Sequence, residues 1–465
     1  MYLTARRGID AICTRLLGLV IHLRRLCSDY LIEFAIRLIC VKRLTVIGSG
    51  YVGLSTAVAL AELSHSVVAA DIDPAKIAVL KSGTSPIAEV GMDEGISRGL
   101  ESGRLSFSTD VLSSVAGAEV VFLCLPTPQG DDGSADLSYI EAVARQIGPH
   151  LAPGTVVVNK STVPVGSSVQ VGQWLGRTDV FVVSNPEFLR QGTALQDFLH
   201  PTRVVVGGDN EAAVEKVASL YAAVDAPILR MNAASAEALK YAANSFLATK
   251  LTFVNAIADI CELVGADVFD VVSGLGLDPR IGDQFLNPGP GWGGSCFPKD
   301  TRALVKIAEG NGYDFALLRG VIQTNDEQYE RIALKVVEVC GGSVAGKTIA
   351  SWGLTFKANT DDLRDSPAIA ILHTLKEMGA IIRAYDPAAR GVDQLPWVQR
   401  CDSALEACDG ADALAVLTEW SEFSSISPTE VAARLSTSVV VDGRNVLNPQ
   451  QWKSSGFQYR GVGRS

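Results

Sequence analysis

One cysteine, Cys296, stands in a setting that could make it a nucleophile. It follows the glycine-rich run Gly291-Trp-Gly-Gly-Ser295 and precedes Pro298, Lys299 and Asp300. Glycines let a backbone approach a ligand closely. A helical pattern begins at Lys299, so the thiol should lie near a helix N-terminus, where the thiolate is favoured. A lone cysteine is more often an inert buried side chain, and we expect this of the other eight. For Cys296 we predict a covalent nucleophile.

Two polar residues lie four positions apart in a segment with a helical pattern. Lys240 and Asn244 have apolar residues at helical spacing around them, so on a helix they share one face. Taken alone, such a pair indicates a solvated helix face.

A glycine fingerprint points to a dinucleotide. Gly48, Gly50 and Gly53 follow a short apolar run and open a helical pattern, and Asp71 ends the next apolar run about twenty residues on. This spacing suits a tight turn, close approach to a pyrophosphate and close helix packing. An acid at Asp71 binds ribose hydroxyls and repels a 2′-phosphate, which favours NAD over NADP. The motif alone leaves FAD open.

The elements that position these residues follow from the hydrophobic pattern. Short β-rich runs alternate with helical patterns on both sides of a long helix or helix pair, residues 233–273. We therefore predict two Rossmann-like, doubly wound parallel-sheet domains joined by a long central helix. The second sheet has no GxGxxG, which suits a ligand other than a dinucleotide. The predicted strands are 44–47, 66–70, 119–123, 155–158, 180–183, 348–353, 381–385, 413–417 and 439–441.

Bulk composition narrows the functional classes. The 465 residues exceed a single hydrophobic core, and the formal net charge of −11 disfavours nucleic acid as a partner. Nine cysteines without a CxxC and five scattered histidines indicate neither a disulfide framework nor a metal site. We expect a reducing cytoplasm and no metal.

Residues 1–40 are apolar and basic. Their apolar run at 16–21 is too short to span a bilayer, and no small-residue cleavage site follows it, so we expect no integral membrane association. A basic amphipathic helix on a membrane surface is one interpretation. The stronger one is a non-catalytic extension, with the domain beginning at Val41.

From about residue 42 to 446 the chain resembles the UDP-glucose/GDP-mannose dehydrogenase family. The resemblance rests on the order and spacing of motifs along nearly the whole chain. These motifs are Gly48–Gly53, Thr127-Pro128, Ser161–Gly166, Asn185–Gln191, Glu237–Asn244, Arg280–Gly282, Phe285–Asp300, Phe356–Pro367 and Asp442–Asn445. The resemblance implies an oxidation of the C6 alcohol of a nucleotide sugar to a carboxylate, with two NAD used in turn.

The resemblance gives Cys296 and the helical pair their roles. Cys296 adds to the aldehyde carbon as a thiohemiacetal, and loss of a second hydride leaves a thioester that water cleaves. Lys240 and Asn244 stabilise the oxyanions formed at C6 on this path.

Hydrolysis falls to further residues by the same resemblance. Asp300 acts as general base or orients a water, Thr162 holds that water, and Glu187 acts in hydrolysis and contacts the substrate. The family commonly has glutamate where this chain has Gln191. An amide cannot act as a base, so any proton transfer there falls to Glu187 or Asp300. A second departure, Val90 in place of proline, predicts only a local loop effect.

The resemblance also implies two sets of ligand contacts. The NAD contacts are Gly48, Gly50, Tyr51, Val52, Gly53, Asp71, Lys76, Thr127, Thr162, Gln191, Lys299 and Arg364. The substrate contacts are Glu187, Phe188, Leu189, Arg190, Gln191, Lys240, Asn244, Arg280, Phe285, Leu286, Asn287, Gly291, Gly293, Lys357 and Arg444. The family donates the Arg280 position across a dimer interface, which implies a homodimer or larger homo-oligomer.

The implied domains are an extension 1–40, an NAD-binding domain 41–230, a central helical and dimerisation domain 231–340 with the cysteine loop, and a UDP-sugar-binding domain 341–465. The Ser-Cys and Lys-Asp pairs of the loop differ from the pattern of UDP-N-acetylmannosamine enzymes, and the residues just before them differ from the pattern of GDP-mannose enzymes. The resemblance therefore favours UDP-glucose as substrate, with GDP-mannose or another UDP-hexose as the alternative. A catalytically silent nucleotide-binding protein is the alternative from another class. The presence of Cys296, Lys240 and Asp300 disfavours it.

Overall fold

A computed structural model describes residues 41–130 and 132–464. The extension predicted over residues 1–40 lies outside the described residues. The chain forms two compact units: residues up to 127 with 137–238, and residues 128–136 with 239 onward. Within the described ranges, none of the helices combines the length and apolar character that a bilayer crossing requires.

The first unit is built on an eight-stranded sheet. Its strands are β1 (Arg43–Ile47), β2 (Ser66–Ala70), β3 (Leu105–Ser108), β4 (Val120–Leu123), β5 (Val156–Asn159), β6 (Phe181–Ser184), β7 (Val204–Gly207) and β8 (Ile228–Met231). Their order is β3-β2-β1-β4-β5-β6-β7-β8, and only the β6–β7 pair is antiparallel. Every residue of β4 and β5 is buried, as expected for strands covered on both faces.

Helices cover both faces of this sheet. They are α1 (Tyr51–Glu62), α2 (Pro74–Lys81), α3 (Met92–Glu101), α4 (Val111–Val115), α5 (Ser138–Ile147), α6 (Ser167–Leu175), α7 (Ala194–Leu199) and α8 (Glu211–Ala218). Alternate residues of the central strands enter two separate apolar layers, because neighbouring side chains of a strand point to opposite faces. The carboxyl ends of the parallel strands are thereby left for the loops that carry the predicted cofactor residues.

The predicted helix pair is present as α9 (Ala233–Val264), which begins in the first unit and continues in the second, and α10 (Val268–Gly276). Gly265 ends the first helix with a φ of +74°, a conformation that suits glycine. The Asp267 side chain caps α10 by accepting the Phe269 amide hydrogen.

The second unit contains a six-stranded parallel sheet. Its strands are β9 (Thr348–Trp352), β10 (Ile381–Tyr385), β11 (Val398–Arg400), β12 (Ala413–Val416), β13 (Val439–Asp442) and β14 (Gln458–Arg460). Their order is β11-β10-β9-β12-β13-β14. The further helices are α11 (Phe297–Gly310), α12 (Ala316–Val339), α13 (Pro367–Glu377), α14 (Ala404–Cys408), α15 (Ser421–Ser425), α16 (Pro428–Ala432) and α17 (Pro449–Ser454).

In both sheets the first strand of the unit lies between its second and fourth strands, which is the doubly wound Rossmann order. The predicted fold class, two such sheets with a long central helix, is therefore confirmed. The predicted boundaries after residues 40, 230 and 340 stay predictions.

Candidate active site

The fingerprint turn of the first unit requires glycine at two positions. Gly48 has a φ of +94°, and a Cβ atom there would lie 2.4 Å from the Cys124 carbonyl oxygen. A Cβ at Gly53 would lie 1.8 Å from the Gly48 carbonyl oxygen. Gly50, by contrast, has open space around its missing Cβ and precedes α1, whose first turn has no side-chain cap. The amides that open α1 are thus accessible, which fits a pyrophosphate.

Asp71 follows β2 and is held in place by donors. Its Oδ2 accepts the Ser49 amide hydrogen at 2.8 Å and the Lys76 ammonium at 3.0 Å, and Oδ1 accepts the Asp73 amide at 3.1 Å. Burial alone would raise the pKa of Asp71, but these donors outweigh it and the pKa lies below its usual value. An ionised carboxylate at this position fits the ribose of NAD and repels a 2′-phosphate.

Other predicted cofactor residues surround this turn. Val52 packs against the apolar layer, and burial raises the pKa of the neighbouring Tyr51 phenol, with a further contribution from the charge of Glu89. Thr127 donates to the Thr162 carbonyl oxygen at 3.0 Å, so the structure brings these two predicted residues together.

Glu237 anchors the segment that carries Thr162. Its buried carboxylate accepts the Gly166 amide at 2.6 Å and the Ser168 amide at 3.0 Å, and so caps α6 from a distance of about seventy residues in sequence. Ser184, at the end of β6, donates to the same carboxylate at 2.9 Å.

The predicted substrate loop of the first unit follows β6. Asn185 fixes its start: Oδ1 accepts from Lys160 at 3.0 Å and from Tyr221 at 2.5 Å, and Nδ2 donates to Val205 at 2.6 Å. Glu187 is 7 % exposed. Its Oε2 accepts the Leu189 amide hydrogen at 2.6 Å.

A cavity of about 230 Å³ lies beside this loop, and its lining includes Glu187, Phe188, Leu189 and Arg190. The Phe188 ring stacks on the guanidinium of Arg203, 3.9 Å from the ring centroid. Arg190 is exposed and paired with Asp197.

The far end of the loop is held by Glu89, which the sequence did not identify. Its carboxylate accepts the Gly192 amide at 2.8 Å and the Ala194 amide at 2.6 Å, on either side of the turn that follows Gln191. Val90, the next residue, is 72 % exposed, a position where proline and valine differ little in packing.

In the second unit, Cys296 occupies the N-cap position of α11, and its side chain makes no capping hydrogen bond. It is exposed, whereas the five other cysteines among the described residues are buried. Burial raises the pKa of the Cys124 and Cys408 thiols to about 12. Those thiols are poor nucleophiles, and Cys296 alone of the described cysteines has the accessibility that a nucleophile needs.

Two predicted residues bind the side chain of Asp300, in the first turn of the same helix. Its side chain is 1 % exposed. Oδ2 accepts from Asn244 at 2.6 Å, and Oδ1 accepts from Lys299 at 2.6 Å. Lys240, one turn before Asn244 on α9, is also buried. The burial of Lys240 and Asn244 excludes the solvated helix face that the sequence had left open.

Arg364 adds a second cation on this side of the unit. Its guanidinium binds Asp362 through Nε at 2.9 Å and Nη2 at 2.6 Å. Those hydrogen bonds, together with electrostatic attraction to Cys296, raise the pKa of Arg364.

Buried amides hold the glycine-rich loop before Cys296. Asn325 accepts the Trp292 amide hydrogen at 2.8 Å and donates to the Trp292 carbonyl oxygen at 3.0 Å. Asn255 accepts the Gly289 amide at 2.8 Å, and Gln328 donates to the Gly289 carbonyl oxygen at 3.1 Å. These side chains come from α9 and α12. Their only sequence signal is polar residues in an apolar helical pattern.

Steric contacts within the protein account for two glycines of the loop. A Cβ at Gly291 would lie 2.6 Å from the Tyr329 ring, and one at Gly293 would lie 2.0 Å from the Asp365 carbonyl oxygen. Leu286 is buried and Asn287 exposed, and the Phe285 ring lies 6.5 Å from that of Phe297. These contacts do not test whether the loop binds the substrate, so that role stays a prediction.

Three predicted substrate cations belong to the second unit. Arg280 is 88 % exposed and paired with Asp278, so the structure does not place it in the buried group around Asp300. The Lys357 ammonium lies 5.7 Å from the Phe356 ring centroid. Arg444 lies against the glycine-rich loop, with Nη1 3.9 Å from the position of a Cβ at Gly289. Across residues 41–130 and 132–464, no cluster of three His, Cys, Asp or Glu side chains is arranged to bind a metal ion.

Comparison with known proteins places this geometry in a family. Three models of the UDP-glucose/GDP-mannose dehydrogenase family match in order: the NAD binding domain over residues 42–225, the central domain over 234–327 and the UDP binding domain over 350–449.

Individual proteins match over nearly the same span. A UDP-glucose 6-dehydrogenase of Rhizobium meliloti is 44 % identical, covering 91 % of this chain and 99 % of the relative. TuaD, a UDP-glucose 6-dehydrogenase of Bacillus subtilis, is 42 % identical, covering 91 % and 93 %. The structure of a UDP-glucose dehydrogenase from Pyrobaculum islandicum matches with a TM-score of 0.84 at 36 % identity, covering 91 % and 98 %. A UDP-D-ManNAc dehydrogenase from Pyrococcus horikoshii gives 0.82 at 29 %, covering 91 % and 99 %.

Proposed function

The chain belongs to the UDP-glucose/GDP-mannose dehydrogenase family, and on that premise we propose that it is an NAD-dependent UDP-glucose 6-dehydrogenase. One observation carries the chemistry: an exposed thiol, Cys296, at a helix N-terminus whose first turn holds a buried Asp300 bound to Asn244 and Lys299. This arrangement suits covalent catalysis on a carbonyl carbon.

The first unit holds the cofactor. The amides of the Gly48–Gly53 turn would bind the pyrophosphate, and Asp71, which already accepts the Ser49 amide hydrogen, would accept from the ribose. When bound, NAD accepts one hydride from C6 in each of the two oxidations. Gln191, Lys299 and Arg364 are further cofactor contacts by family resemblance.

Cys296 divides the second oxidation into feasible steps. The first oxidation removes a hydride from C6 and a proton from its hydroxyl, which gives an aldehyde. The thiolate then adds to C6, a C–S bond forms, and the oxygen carries the negative charge. Lys240 and Asn244 stabilise that oxyanion. Departure of the second hydride from C6 restores the C=O bond and leaves a thioester on Cys296.

Hydrolysis releases the product. Water adds to the thioester carbonyl, the C–S bond breaks, and the thiolate leaves while the water proton passes to a base. Both Asp300 oxygens already accept hydrogen bonds, which favours its orienting role through Lys299 and Asn244. Glu187 is then the proposed proton acceptor, with Thr162 holding the water.

Lys357 and Arg444 are the proposed ligands of the anionic part of UDP-glucose. Residues 341–465, the predicted UDP-sugar-binding domain, contain both cations, which explains how an acidic chain binds an anion. The remaining substrate contacts, which include Phe188 and Phe285, are proposed from the family resemblance.

The proposed enzyme is a homodimer or larger homo-oligomer. Phe246, Phe253 and Ile260 are spaced seven apart on α9 and are 65 %, 53 % and 52 % exposed, so they form one apolar stripe. A second copy of the chain would cover this stripe. The exposed Arg280, which pairs with Asp278 within the chain, is the residue that the family pattern would donate to that copy. The six cysteines within residues 41–130 and 132–464 form no disulfide with one another, which suits a reducing cytoplasm.

The decisive experiment counts NADH released per sugar for UDP-glucose, UDP-galactose, UDP-N-acetylglucosamine and GDP-mannose. We expect two NADH per UDP-glucose and the highest kcat/KM for that sugar. One NADH per sugar would contradict oxidation to the acid, and a preference for GDP-mannose or another UDP-hexose would contradict the substrate. No NADH with any sugar would favour a silent nucleotide-binding protein.

The thioester mechanism has its own test. Cys296→Ser should abolish net acid formation, while Cys340→Ala, which removes a buried thiol of the same unit, should retain activity. Full activity of the serine variant would exclude Cys296 as the nucleophile.

A further inference from the structure

Glu419 lies between the two cationic residues that the second sheet contributes. Strand β12 separates β9 from β13. Lys357 follows β9, Arg444 follows β13, and Glu419 follows β12. The Glu419 carboxylate reaches both neighbouring loops, because Oε1 accepts the Ala358 amide hydrogen at 3.3 Å and Oε2 lies 3.1 Å from Nε of Arg444. One side chain therefore links the segments that carry Lys357 and Arg444.

The protein holds the guanidinium of Arg444 in one orientation. Nε donates to the Leu417 carbonyl oxygen at 3.0 Å, and Nη2 donates to the Phe356 carbonyl oxygen at 2.6 Å. Because Nε is directed at Leu417, the buried Oε2 of Glu419 has no donor aimed at it among the described residues. Its contact with Arg444 is an attraction between charges.

A carboxylate in this position has two opposing effects on an anionic ligand. Its charge repels a diphosphate, which weakens binding. Its contacts also tie the segment that carries Lys357 to Arg444, in addition to the hydrogen bond from Arg444 to Phe356. The sign of the net effect decides whether Glu419 assists or hinders binding.

We propose that Glu419 is a positioning residue for the nucleotide sugar: it holds the 356–358 loop and Arg444 together, so that Lys357 and Arg444 meet the diphosphate as a pair. This inference rests on the proposed function, in which those two cations bind the substrate. It assigns Glu419 no contact with the reacting atoms.

The test measures binding of UDP and of NAD separately, by titration calorimetry on the full-length protein. Glu419→Ala should raise the Kd for UDP about tenfold, the loss expected for one charge-assisted contact, and leave the Kd for NAD unchanged. In turnover, KM for UDP-glucose should rise while kcat at saturation stays within about twofold. Glu419→Gln keeps an oxygen for the Ala358 amide, so its effect should be smaller. Glu430→Gln, at an exposed position on α16, is the control.

Tighter or unchanged UDP binding in both Glu419 variants would overturn the inference, because the carboxylate would then only repel the ligand. Arg444→Ala separates this failure from failure of the proposed function. If Arg444→Ala weakens UDP binding and the Glu419 variants do not, only the inference falls. If Arg444→Ala has no effect, the role proposed for Arg444 falls. Should the alanine variant at 419 fold poorly, the glutamine variant decides on the same criterion.

Discussion

Replacing Asp300 by asparagine perturbs the most deeply buried ionic contact of the site. Asparagine has almost the same shape as aspartate, but one terminal oxygen becomes an NH₂ donor. With Asp300, the Lys299 ammonium lies 2.6 Å from Oδ1 and the Asn244 amide lies 2.6 Å from Oδ2. The new NH₂ group must face one of these two donors. The substitution therefore removes the charge and sets two donors against each other.

The contacts set the size of the effect. Removing one partner of a buried ion pair costs about 3–5 kcal/mol, and a hydrogen bond to a charged group contributes about 1.5–3 kcal/mol. The Lys299 side chain is 18 % exposed, so water compensates part of the loss. We expect about 3 kcal/mol. If this loss falls mainly on the transition state, kcat drops about a hundredfold.

The assay combines steady-state turnover with intact-protein mass spectrometry of a single turnover. A covalent adduct on Cys296 should accumulate in Asp300→Asn, because the proposed role of Asp300 lies in orienting the groups that cleave the thioester. Asp314→Asn is the control, since that side chain is 71 % exposed. A kcat within a few-fold of the parent, with no adduct, would refute the role derived for Asp300.

Three further predictions concern other parts of the molecule. Asp71→Asn should weaken NAD binding and lower stability at neutral pH. The folded-state pKa of Asp71 is lowered, so its contribution is present above the unfolded pKa of about 4 and is lost as the pH falls through the folded value. Urea midpoints of variant and parent should differ at neutral pH and converge in acid; a constant difference would contradict this. Asn325→Ala should destabilise the protein by about 3 kcal/mol, because it removes the two hydrogen bonds to the Trp292 backbone. The same variant should slow alkylation of the Cys296 thiol. Gln323→Ala, at an exposed position of the same helix, should have neither effect. Phe253→Asp should reduce the assembly mass in light scattering, and an unchanged mass would exclude the α9 stripe as the interface.

Most of the strands that the sequence did not predict lie at the edges of the two sheets. They are β3, β7, β8, β11 and β14, and four of these are the outer strands of the two sheets. An outer strand is less covered than a central one and lacks a continuous apolar run. In β11 two of three residues are exposed, and in β8 no residue is buried. The nine predicted strands all lie inside the sheets, but β7, an interior strand whose four residues are all buried, was not predicted.

The sequence indicates those residues of the site that lie close together along the chain, but not those that act on residues distant in sequence. Cys296, Lys299 and Asp300 are adjacent in sequence, and a four-residue spacing indicates the pair on α9. The residues that hold the loops are not adjacent to them. Glu89 acts on amides more than one hundred positions away, at Gly192 and Ala194. No local pattern indicates such a contact, because a half-buried glutamate in a loop has the same sequence signature as a solvated one.

The two sheets share a turn that their sequences conceal. Gly48 directly follows β1, has a φ of +94°, and leaves no room for a Cβ because of Cys124, which follows β4. Gly353 directly follows β9 and has a φ of +102°. Thr418, which lies beyond the end of β12, likewise leaves no room for a Cβ at this position. Only the first glycine of the fingerprint is thus retained in the second sheet, which is why a search for GxGxxG finds one domain and not the other.

The acidic residues that follow β2 and β10 occupy equivalent positions but differ in their hydrogen-bond partners. Asp71 and Asp386 follow these strands, and each accepts the amide hydrogen of the second residue beyond the first strand, Ser49 and Leu354, at 2.8 Å. Asp71 has the partly exposed Lys76 as its remaining side-chain partner, which can move aside for a ribose. Asp386 also accepts from the Trp420 indole at 3.2 Å and from the amides that follow it at 3.0 Å. A carboxylate offers about four acceptor sites, so Asp386 has none left for ribose hydroxyls. The second sheet therefore keeps the strand order of a dinucleotide-binding domain, while the protein itself fills the position that a ribose would occupy.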